Sequence, residues 1–102
     1  MTRPKRQRRI SVDPEITFFK PSGVRMKMLE QVDLSLDELE SMRLKFEKGM
    51  DLLQGARKMK ISKSTFQRLI VSAQKKIVDA LVNGKAIKLH KVVDFNFPFV
   101  NN

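Results

Sequence analysis

Asp51–Val71, DLLQGARKMKISKSTFQRLIV, is the segment on which the architecture turns. Asp51 is a helix N-cap with Gln54 in the reciprocal position, and Leu52, Ala56 and Met59 give the helix after it an inner face. Lys60-Ile61 is a tight turn. Ser62 then caps a second helix whose stripe of Phe66, Leu69, Ile70, Ala73, Ile77, Ala80 and Leu81 repeats at helical spacing until Asn83-Gly84 stops it. Helix, turn and capped helix are the pattern of a helix-turn-helix, in which the second helix enters the DNA major groove with its N-terminal residues at the base edges. Lys63, Ser64, Gln67 and Arg68 occupy the leading outer face and are the expected base contacts. Gln67 suits adenine and Arg68 guanine, each in bidentate fashion. Ser62, Thr65, Lys75 and Lys76 are the expected phosphate contacts. An ordinary helical hairpin is the competing reading. Three features weigh against it: small Ala56 where helices approach, Ile61 and Phe66 bracketing the cap, and a leading helix free of acids.

Upstream, Ser35-Leu36-Asp37-Glu38 is a capping box, followed by Leu36, Leu39, Met42 and Phe46 at helical spacing. Gly49 ends that helix in the left-handed conformation. Asp37, Glu38 and Glu40 fall on its outer side, where carboxylates serve the macrodipole and solubility. Residues 24–34 are ambiguous between a helical turn around Val24, Met28 and Leu29 and an extended piece at Val32 and Leu34. Further out, the period changes to two. Ile10, Val12, Pro14, Ile16 and Phe18 alternate before the Lys20-Pro21-Ser22-Gly23 turn, and Ile87, Leu89, Val93, Phe95, Phe97 and Phe99 alternate after Gly84. A lone strand is unstable, so residues 10–19 are expected to pair with 86–95, within one chain or across two. The expected fold is mainly α, a helix-turn-helix domain with a minor β element from the N- and C-terminal segments. It divides into a basic arm at 1–9, the domain proper at 10–90, and a terminal strand or tail at 91–102.

Composition sets the class of partner. The chain has 102 residues and 21 Lys and Arg against 11 acids, net +10, which favours a polyanion. The excess is segregated: residues 1–20 carry +4, residues 24–50 carry −1, and residues 61–78 carry +4 with no acid. The arm residues Arg3, Lys5, Arg6, Arg8 and Arg9 are placed to enter a minor groove, or else form a solvated tail. There is no cysteine, no P-loop, no nucleophile–histidine arrangement and no metal-ligand set, and the one histidine, His90, reads as a strand surface residue. An enzyme, a cofactor and a metal are not expected. No apolar run approaches the roughly 18 residues of a membrane span, so a cytoplasmic protein is expected.

These residues carry a resemblance. Arg3-Pro4, Arg8-Arg9, Phe19-Lys20-Pro21-Ser22-Gly23, Asp37-Glu38-Leu39-Glu40, Met42-Arg43-Leu44-Lys45, the Met59–Arg68 core and Ala80–Ala86 resemble the domain-of-unknown-function family numbered one hundred and thirty-four. Its members are short proteins predicted to bind DNA through a helix-turn-helix similar to sigma-factor region four, and the resemblance spans roughly residues 1–90. It implies duplex DNA binding and transcriptional regulation. Two departures bear on rigidity. Lys60 stands where the family usually has glycine, and a left-handed lysine there costs about 1–2 kcal/mol. Gly55 stands where alanine is usual, costing about 1 kcal/mol in helix propensity. This version of the motif is therefore expected to be the less rigid one. The family also tends to carry cysteines in the arm, where Gln7 and Ser11 stand here, so a thiol or metal role for the arm is not expected.

Two other functions fit the same features. One is an RNA-binding or ribosome-associated protein using the same charge, and the other is a protein-interaction module with a vestigial motif. A homodimer through the apolar positions between Ile87 and Phe99 is one expected assembly; the alternative is that this segment folds back on its own helices.

Overall fold

The computed structural model describes residues 9–90. Along the chain these form β1 (Phe18–Phe19), a single 3₁₀ turn at Met26–Met28, β2 (Gln31–Ser35), α1 (Leu36–Met42) continuing into a π-helical turn at Arg43–Glu47, α2 (Leu52–Met59), α3 (Lys63–Asn83) and β3 (Ala86–His90). The protein is mainly α with a small three-stranded sheet of order β1-β3-β2.

Local signals fix the helix ends. The Ser35 and Glu38 side chains form the reciprocal box that starts α1, and Asp51 with Gln54 does the same for α2. Ser62 Oγ accepts from the Thr65 N–H at 3.1 Å to start α3. Gly84 closes α3 in the left-handed region at φ 67°. Lys60 closes α2 there too, at φ 59° and ψ 47°. The following Ile61 N–H then reaches the Ala56 carbonyl at 3.0 Å and satisfies one of the orphan acceptors of the last turn.

Two apolar clusters make the core, and α3 is the spine of both. Phe66 and Ile70 of α3 pack with Leu44, Ala56 and Met59, flanked by Ile10, Met50, Leu52, Ile61 and Leu69. Further along, Ala73 packs with Leu34 and Leu89, flanked by Leu39, Met42, Ile77 and Ile87. The first cluster holds the helical hairpin together. The second holds α3 on the sheet.

The sheet keeps the expected pairing of residues 10–19 with 86–95 only at its end. Only Phe18 and Phe19 are strand, antiparallel to Lys88 and Ile87, although the Leu89 N–H still reaches the Thr17 carbonyl at 2.8 Å. Residues 10–17 run instead as irregular chain, consistent with Pro14 lacking a donor for the ladder. The main partner of β3 is β2, in parallel, from Gln31 opposite Ala86 to Ser35 opposite His90. Ile87 and Leu89 belong to the core of the single chain. Val93, Phe95, Phe97 and Phe99 lie outside the described residues.

α1 also departs from expectation, in which side it buries. Asp37, Glu38 and Glu40 are buried, at 7%, 5% and 0% exposure, whereas their spacing from the apolar stripe placed them outside. The helix is covered on two sides, by the sheet-side cluster through Leu39 and Met42 and by the hairpin cluster through Leu44 beyond it. The π turn, closed by the Lys48 N–H on the Arg43 carbonyl, shifts the register, so Leu44 turns inward and Phe46 outward. At the far end of α3, Ala80 takes the inner position and Leu81, about 100° further round, is 75% exposed rather than part of the stripe.

Gly55 gains a reason that helix propensity does not supply. A Cβ built on it lies 2.2 Å from Phe66 Cζ, so α2 and α3 meet where only hydrogen fits. Beside its propensity cost, this glycine has a packing role: its bare backbone is one wall of the Phe66 site.

Candidate nucleic-acid interface

The outer side of α3 follows from its inner side. With Phe66, Ile70 and Ala73 buried, the 3.6-residue repeat turns Lys63, Ser64, Gln67 and Arg68 outward, and all four are exposed. Ser64, Gln67, Arg68, Val71, Ser72 and Lys75 line one shallow concavity of about 670 Å³ along this side. The first turn of α3 carries no acid, so the positive end of its macrodipole is not neutralised by a carboxylate.

The remaining expected contacts divide. Lys75 is exposed on the same strip. Ser62 and Thr65 are engaged with each other: the Ser62 hydroxyl accepts from the Thr65 N–H and bonds Thr65 Oγ1 at 2.9 Å. Lys76 does not stand beside Lys75 as expected. Its Nζ donates to Glu38 Oε1 at 2.9 Å and to the Asp33 carbonyl at 2.7 Å. The amine expected on a phosphate is thus engaged in the free protein, as a brace between α3 and the β2–α1 corner.

Glu38 is the other half of that brace. Its carboxylate accepts from Lys76, from the Ser35 N–H at 2.9 Å and from the Ser72 hydroxyl. Burial alone pushes this carboxyl up, but the hydrogen bonds from Lys76, Ser35 and Ser72 outweigh it and leave the group below its usual range. Nothing in the sequence marked Glu38 for this, because the capping box already accounted for it.

A second buried carboxylate holds the root of the arm. Glu40 takes a bidentate pair from Arg43, at 2.7 and 3.1 Å, and accepts from the Ser11 N–H at 3.0 Å. Two residues earlier, the Arg9 N–H donates to the Met59 carbonyl at 3.0 Å, at the end of α2 and beside the turn. Arg9 is thus fixed next to the leading end of α3. Arg3, Lys5, Arg6 and Arg8 lie outside the described residues.

His90 sits on β3 with its Nε2 3.0 Å from Asp33 Oδ1 across the parallel pair, and the His90 hydrogen bond lowers the Asp33 carboxyl. Among the described residues no group of three His, Cys, Asp or Glu is placed to hold a metal ion, and no helix is long and apolar enough to cross a membrane.

Val71 and Ser72 are the members of the strip that sequence reasoning passed over. The signal was present for Val71, which follows Ser64, Gln67 and Arg68 by seven, four and three residues on one helical side.

The chain is similar over 89 of its residues to proteins whose names state no activity. A UPF0251 protein of Caldanaerobacter subterraneus is 48% identical over 89 residues, covering 87% of this chain and 75% of that one. One from Dehalococcoides mccartyi is 46% identical, covering 87% and 76%. Another, from Thermoanaerobacter pseudethanolicus, is 48% identical, covering 87% and 75%. No solved structure matches. The family model described as protein of unknown function DUF134 matches residues 1–95, and the chain belongs to that family.

Proposed function

We propose that this protein binds duplex DNA sequence-specifically through α3 and regulates transcription in the cytoplasm, as a binding protein and not an enzyme. The observation that carries this reading is the strip Lys63, Ser64, Gln67, Arg68 and Lys75. It is exposed, acid-free and cationic, on a helix whose opposite side is locked into two cores. Base readout needs such a rigid mounting, because bidentate contacts tolerate little error in position. The left-handed Lys60 makes the turn between α2 and α3 tight, and the Gly55–Phe66 contact brings the two helices close, which supports the reading. The fixing of Arg9 beside the same end supports a role for the arm at a neighbouring minor groove.

The test is selection of binding sites from random duplexes, followed by titration across salt. With about six to eight cations on phosphates, the log–log slope of affinity against salt is expected at about −5 to −7. A palindromic consensus would add a two-fold dimer to the reading. Enrichment of no sequence, with structured RNA competing on equal terms, would replace it by RNA binding. Binding to neither at low salt would leave an interaction module.

A further inference from the structure

On the cationic strip of α3 one side chain is out of character. Val71 is 43% exposed, and its neighbours in the concavity are Gln67, Arg68, Ser72 and Lys75. It belongs to neither core cluster, whose α3 members are Phe66, Leu69, Ile70, Ala73 and Ile77. A β-branched apolar residue in the middle of a helix surface adds nothing to helix propensity.

The spacing gives it a place. Ser64, Gln67, Arg68 and Val71 stand at i, i+3, i+4 and i+7, the spacing at which homeodomain-type helices present four residues to the major groove while lying along it. The 21 residues of α3 make it about 31 Å long at 1.5 Å per residue, long enough to lie along the groove as well as to point into it. Ser64 to Val71 spans about 10 Å of axis, close to three base-pair steps of about 3.4 Å. In that groove the apolar mark of sequence is the thymine C5-methyl group, and apolar side chains are what read it.

Resting on the DNA-binding reading above, we propose that Val71 is a specificity-determining residue that recognises the C5-methyl of a thymine, next to the base contacted by Gln67 or Arg68. Val71 carries no hydrogen bond to that base. Its contribution is dispersion and the removal of one methyl from water.

The experiment replaces the thymines of the selected site by deoxyuridine one at a time, which deletes the methyl and leaves pairing intact. One substitution is expected to weaken the wild-type protein about threefold to fivefold, the worth of burying a single methyl. Val71→Ser should bind the thymine and deoxyuridine versions within a factor of about 1.5 of each other, both side-chain methyls being gone. Arg68→Ala should keep the deoxyuridine penalty while losing preference at another base. A consensus without a fixed thymine overturns the inference alone, as does a wild-type protein indifferent to every deoxyuridine or a Val71→Ser that keeps the penalty. Absence of any selected consensus overturns both this inference and the reading beneath it. The wild-type arm involves no variant, and circular dichroism of the exposed-site variants checks that they are folded.

Discussion

Gly55→Ala inserts one methyl between α2 and α3, and its consequence can be worked from the contact it meets. The added Cβ would lie 2.2, 2.6 and 2.8 Å from three atoms of the Phe66 ring. Phe66 is 0% exposed and packed against Leu44, Ala56, Met59 and Ile70, so the ring has no free direction in which to retreat. Overpacking of this kind costs about 1–3 kcal/mol, and three simultaneous close contacts put it at the upper end. Replacing glycine in a helix returns about 1 kcal/mol. The net expectation is a loss of about 1–2 kcal/mol, or a fall in melting temperature of about 5–15 °C for a domain of this size. Thermal and urea melts followed by circular dichroism measure it. Phe66→Leu provides the control: in the double variant the methyl has room, so the two changes should couple favourably by at least about 1 kcal/mol. A Gly55→Ala protein more stable than wild type by the propensity gain alone would mean that the close approach of the two helices does not exist.

Four further outcomes are expected. Lys60→Gly relieves a left-handed side chain that is exposed and should raise stability by about 0.5–1 kcal/mol in the same melts; an unchanged or lower melting point would mean that the turn is not strained. Glu38 has a folded pKa below its ordinary 4.5, so its contribution is present above that value and lost as pH falls through the folded pKa. Acid titration of stability should therefore steepen below about pH 5 in the wild type, while Glu38→Gln should flatten that limb and cost about 1–3 kcal/mol at pH 7. Glu40→Gln removes the carboxylate that Arg43 bonds and weakens the acceptor of the Ser11 N–H. The Ser11 amide should then exchange with solvent about tenfold faster or more, a loss of about 1.4 kcal/mol in local protection, while the amides of α3 change less. Arg68→Ala should relax preference at one base position and cost about 1–3 kcal/mol on the cognate site alone, whereas Lys75→Ala should weaken all duplexes alike; binding curves on cognate and scrambled duplexes separate the two.

Features written within one or two turns of chain were legible without the fold. The caps at Ser35, Asp51 and Ser62, the reciprocal Glu38 and Gln54, and the stops at Gly49, Lys60 and Gly84 are contests between a side chain and backbone groups at most four residues away. Such contests have the same outcome wherever the segment sits. The stripe of α3 was legible as far as Ala80 for the same reason, and with it the outward set Lys63, Ser64, Gln67 and Arg68. Tertiary structure decided the rest, because the deciding partners are far apart in sequence. Glu38 and Glu40 read as surface acids until Ser72, Lys76 and Ser11, each 29 to 38 positions away, arrive to satisfy them. Gly55 looks like a weak point until Phe66 is folded against it. Lys76 looks like Lys75 until Asp33 and Glu38 claim it. The sheet was decided the same way: several short apolar segments compete for the two edges of β3, and β2 wins one of them because α1, continuous with it, packs on α3. Periodicity tells which side of an element is apolar. Which partner covers it, and which charges are buried beside it, is settled only when the elements meet.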